Sequence, residues 1–62
     1  MVKEQRKMVK FLLEYGKNWQ SFSSDYDTVS IVCSLVNLGI IKINKYNQMK
    51  MISEFKAKLF LM

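Results

Sequence analysis

The sequence predicts a small α+β domain, built as helix, short connector, central helix, β-hairpin and C-terminal helix within one unit spanning residues 1–62. Three observations predict it. A glycine- and proline-free stretch, Val2 to Tyr15, carries apolar residues at helical spacing. A second, more apolar stretch from Ser24 to Leu38 halts at Gly39. After Gly39 the period drops to two, and Ile41-Lys42-Ile43 and Met49-Lys50-Met51 read as paired strands.

The first helix is rich in good helix formers. Met8, Leu12 and Tyr15 fall at i, i+4 and i+7, with Val9 and Phe11 widening the same side. Gly16 stands where a left-handed C-cap is wanted, and Lys17 suits the negative helix end. In the connector, Asn18 to Ser23, Trp19 and Phe22 lie three apart, on one face of a helical turn or in a short extended piece. Core packing is their expected role, and stacking against bases is the alternative.

Ser24-x-x-Asp27 reads as a capping-box start, with Asp25 and Asp27 against the positive helix end. At about 100° per residue, Asp27, Ser30, Ser34 and Asn37 form one narrow polar stripe. The remaining residues leave roughly 220° of apolar arc, where an ordinary surface helix needs only about 100°. This helix is therefore expected to be central to the fold or partly covered by a partner, with Val29, Val32 and Val36 as the partner-binding positions.

In the hairpin, Lys45-Tyr46-Asn47 is a three-residue turn, since Asn tolerates positive φ. Pairing Asn44 with Gln48, Ile43 with Met49 and Ile41 with Met51 gathers the apolar side chains on one face. Residues 53–62 fit either a strand or a helix. Helix is preferred, because Ser53 can cap, Glu54 and Lys58 form an i,i+4 pair, and Ile52, Phe55, Leu59 and Met62 make an apolar stripe.

Composition bounds the function. A chain of 62 residues buries only roughly 60% of its unfolded surface, so stability is marginal. The single cysteine, Cys33, allows no internal disulfide and points to a reducing cytoplasm; its apolar neighbours predict an inert thiol. No segment approaches the ~20 apolar residues of a membrane span, and no signal peptide is expected. The net charge is +5, unevenly spread. Residues 1–17 carry Lys3, Arg6, Lys7, Lys10 and Lys17 against Glu4 and Glu14. Residues 42–62 carry Lys42, Lys45, Lys50, Lys56 and Lys58 against Glu54, while the middle carries only Asp25 and Asp27. Such ends favour a polyanion, or serve only to keep an apolar mini-domain in solution. With no histidine, no paired carboxylates beyond the helix-start Asp25 and Asp27, and no glycine-rich loop, no catalytic residue, metal site, cofactor or small-molecule substrate is expected.

Helix, connector, helix ending in Leu35-Val36-Asn37-Leu38-Gly39-Ile40-Ile41, hairpin and Met51-Ile52-Ser53-Glu54-Phe55-Lys56 together resemble the winged helix-turn-helix family. The likeness covers about 40 residues of loose pattern and resembles a reduced member of the kind phages and mobile elements encode. The resemblance implies a dimeric, cytoplasmic DNA-binding transcription regulator. Carried over, Ser30, Ser34 and Asn37 would face base edges, Lys42, Lys45 and Lys50 would reach phosphates from the wing, and Tyr46 would sit at its tip. The chain departs from the pattern in two places. Only Asn18 to Ser23 is available for the family's intermediate helix, and the candidate recognition helix contains no Lys or Arg. The alternative is a protein-interaction module, an inhibitor or adaptor of a host enzyme, that keeps the scaffold without reading DNA.

Overall fold

In the computed structural model, residues 2–62 are described. The chain folds as a small winged-helix-like α+β domain of three helices and one three-stranded antiparallel sheet. In chain order the elements are α1 (Val2–Tyr15), β1 (Gln20–Ser21), α2 (Tyr26–Asn37), β2 (Ile41–Ile43), β3 (Gln48–Met51) and α3 (Glu54–Leu61). The sheet order is β1-β3-β2, so the hairpin's second strand is central.

The hairpin register is the expected one, with Ile41 opposite Met51 and Ile43 opposite Met49. Asn47 closes the turn at φ 56°, a left-handed conformation that Asn tolerates. The Asn44 side-chain oxygen accepts from the Tyr46 and Gln48 amides at 2.9 and 3.2 Å, fixing the turn from inside.

The α2 start differs by one residue from the expected one. Asp25, not Ser24, is the N-cap, and its carboxylate accepts from both the amide and the hydroxyl of Thr28 at 3.1 Å. Thr at the third helical position supplies that second donor, which no residue supplies for a Ser24 cap. At the other end Gly39 takes φ 78°; its amide reaches the Val36 carbonyl and the Ile40 amide reaches that of Leu35. That is a Schellman closure, and it turns the chain directly into β2.

Gly16 does not take the left-handed conformation expected of it. It is buried, a Cβ there would strike the Leu12 carbonyl, and its own carbonyl accepts from the Met51 amide at 2.9 Å. Close approach to the Leu12 carbonyl in the last turn of α1, rather than a left-handed cap, is what requires glycine here.

The core is Val9 and Leu12 of α1, Ile31, Val32 and Leu35 of α2, Ile40, Ile41, Met49, and Ala57 of α3. Phe11 and Tyr15, expected on the buried side of α1, stay exposed and pack on each other with ring centroids 5.1 Å apart. The α3 helix, capped by Ser53 as expected, turns its other side inward. Ala57 is fully buried, because its small side chain lets α3 lie close against α1. The apolar stripe Ile52, Phe55, Leu59 and Met62 faces outward.

Candidate nucleic-acid interface

The site is built by the antiparallel register. Side chains alternate across a strand, so residues paired across neighbouring strands share a face. Lys42 pairs with Lys50 across β2 and β3, and extending the β1–β3 register by one residue places Trp19 beside Lys50. Trp19, Lys50 and Lys42 thus form one row across the outer face of the sheet. A second, polar row lies beneath it. Ser21 pairs with Gln48, and the Asn44 side-chain nitrogen donates to the Gln48 side-chain oxygen at 2.9 Å.

Both ammonium groups of the first row sit over the indole, Lys42 Nζ at 5.6 Å and Lys50 Nζ at 5.8 Å from the ring centroid. At exposed sites such cation–π contacts contribute about 0.5–1 kcal/mol each. Like charges directly opposite in a ladder oppose that gain. Neither lysine has a carboxylate within ion-pair distance, and the ion pair seen among the described residues is Lys58 with Glu54 at 3.2 Å on α3. At the wing tip Lys45 Nζ lies 5.3 Å from the Tyr46 ring centroid. The result is an uncompensated cationic surface with two accessible aromatic rings.

The expected site residues separate into two groups. Lys42, Lys45, Tyr46 and Lys50 are together on the wing and outer sheet face. The α2 residues are less available. Asn37 is exposed and Ser30 half-buried, but Ser34 is turned inward, accepting from Gln5 Nε2 at 2.7 Å and donating to the Ile31 carbonyl at 2.6 Å. The hydroxyl is taken up holding α2 to α1. The outward side of α2 instead carries Tyr26, Asp27, Cys33 and Asn37, so Cys33 is exposed rather than set among apolar neighbours. Hydrogen bonds from the Ser23 hydroxyl, then from Thr28, hold the Asp25 carboxyl below the usual carboxylate range. An anion therefore persists at the α2 N-terminus at neutral pH.

The proposed partner positions on α2 are mostly absorbed by the core. Val32 is buried, and Val29 and Val36 are half-buried. Of the apolar arc, the core takes up Ile31, Val32 and Leu35, while Cys33 and Leu38 stay exposed. A run of uncovered apolar side chains lies along α3 and its two ends, where Ile52, Phe55, Leu59 and Met62 are 54%, 72%, 51% and 92% exposed. Beside it, Leu38, Ile40, Lys56, Leu59 and Phe60 line an open groove of about 300 Å³.

Sequence reasoning undervalued Trp19. It is 38% exposed and lies outside the buried core, whereas Phe22 is half-buried against that core. The Gln20 and Ser21 pairing with β3 was not legible, and it alone brings Trp19 to the lysines.

Among the described residues, no group of three or more His, Cys, Asp or Glu is placed to hold a metal ion, and no helix is long and apolar enough to cross a membrane. No protein-family model, no curated protein and no solved structure matches this chain.

Proposed function

We propose that the protein is a small cytoplasmic DNA-binding regulator that grips duplex DNA chiefly through its wing. The observation that carries this is the cluster of Lys42, Lys45 and Lys50 on one surface with no facing carboxylate. Lysines so placed release counterions from a polyphosphate backbone. Asn37 and Ser30 of α2 contribute at most short polar contacts. The acidic start of α2, Asp25 and Asp27, disfavours deep insertion of that helix between phosphates. Affinity without strong base reading is the expected character.

The test is a salt-titrated gel shift on duplex DNA. Each phosphate contact contributes a slope of about −0.9 in log K against log salt, so Lys42→Ala/Lys45→Ala/Lys50→Ala should flatten the slope by about three. Absence of duplex binding at low salt would sink the proposal.

A second reading, the protein-interaction module, is favoured by the exposed α3 stripe. Contiguous apolar surface of that kind is a mark of protein contact. On this reading Phe55→Ser abolishes association, read as mass in solution across a concentration series, while the fold by circular dichroism is unchanged. A wild-type chain that stays monomeric and retains no protein in a pull-down rules it out.

A further inference from the structure

Resting on the nucleic-acid reading above, we propose that Trp19 is a base-stacking platform, so that the outer sheet face takes an unpaired nucleobase while Lys42 and Lys50 hold its phosphates.

Four observations lead there. First, the indole is not part of the closed core: Val9, Leu12, Ile31, Val32, Leu35, Ile40 and Ile41 are buried, whereas Trp19 is 38% exposed. Second, the ring lies in register with two lysines from two other strands, so the arrangement is set by the sheet and not by one flexible segment. Third, those lysines are opposite one another with no acid between them, an arrangement that a phosphate bound by both would relieve. Fourth, the Gln48 carboxamide in the next row uses its oxygen for Asn44, which leaves its NH₂ group to donate toward a base edge.

The chemistry selects the ligand class. A fully paired duplex keeps its bases stacked on each other and offers the sheet only phosphates. An unpaired base offers a π-face, and an aromatic side chain accepts any base, so the preference is for structure rather than sequence. The ammonium groups over the indole are held by weak exposed contacts. An incoming base displaces them, and their flexible stems let them move to the flanking phosphates.

The chain contains one tryptophan, so its own fluorescence reports on the site. The probes are a blunt duplex and the same duplex extended by a short single-stranded thymidine tail, both at low salt. The tailed duplex should quench Trp19 emission and bind about tenfold or more tighter than the blunt one. Trp19→Leu should erase that preference, and Trp19→Phe should restore part of it. Circular dichroism of both variants verifies folding. Equal binding of the two probes with unchanged emission overturns the stacking role while leaving wing-led duplex binding intact. A preference for the tail that survives Trp19→Leu overturns it as well. Failure of both probes to bind overturns the nucleic-acid reading and this inference together.

Discussion

The outer sheet face and the outer side of α3 both expose large apolar groups, yet they are built for opposite surroundings. On the sheet, Trp19 is bracketed by Lys42 and Lys50, and the nearest polar row is an Asn44–Gln48 amide pair. On α3, Ile52, Phe55, Leu59 and Met62 run along one side of the helix, and the cation Lys58 is already paired with Glu54. The first surface presents aromatic rings inside an unneutralised positive field, which suits a polyanion. The second presents a longer run of aliphatic and aromatic groups, with one lysine paired and Lys56 at its edge, which suits another apolar surface. Exposure alone therefore does not define a contact surface here; the balance of charge and apolar area around it does.

The largest effect comes from removing what both surfaces stand on. Leu35 is fully buried in the last turn of α2, among core residues from every helix. Leu35→Ala should cost about 2–5 kcal/mol, enough to unfold much of a domain this small. Thermal melting should show DNA binding and any self-association disappearing together.

A smaller change separates the two surfaces. The Ser53 hydroxyl oxygen accepts from the Lys56 amide at 3.1 Å and caps α3. Ser53→Ala should cost about 1 kcal/mol, fray the first turn of α3 and blur the stripe at Phe55. Hydrogen exchange should quicken at α3 while the Lys42–Lys50 pair and its salt-dependent DNA binding remain.

The hairpin, its register, the Asn47 turn, the Gly39 stop and the Ser53 cap were legible because each is decided within a few residues of chain. Helix existence was legible too, but not which side of each helix wins. On α3 two apolar sides compete, and the choice fell to Ala57 because close approach to α1 needs a small residue. On α2 the polar Ser34 is half-buried because Gln5, 29 residues away, supplies a donor. The candidate site was half legible for the same reason. The wing lysines follow from alternation, whereas Trp19 reaches them only through a two-residue strand whose pairing is long-range.

The smallest expected effect touches neither surface directly. Asp25 is held below its ordinary pKa by Ser23 and Thr28, so the folded state binds its proton less readily than the unfolded chain. Its contribution is present above the unfolded value of about 4 and is lost as pH falls through the lower folded value. The urea midpoint should therefore drop on acidification below about pH 4. Asp25→Asn, which keeps a capping oxygen but does not titrate, should flatten that drop. The α3 stripe should respond no differently from the sheet.

One set of backbone bonds ties these surfaces into a single fate. The amides at the end of β3 reach in two directions, Met51 to the Gly16 carbonyl and Ile52 and Ser53 to that of Ile40. The central strand is thus anchored at once to the turn after α1 and to the turn after α2. Opening either turn releases the same strand end, so the sheet and the turns after α1 and α2 open together, while the first turn of α3 can still fray on its own. Slow hydrogen exchange at Met51 should match the global unfolding rate. Global unfolding then runs through one strand end, and in that event the charged and the apolar surface are lost together.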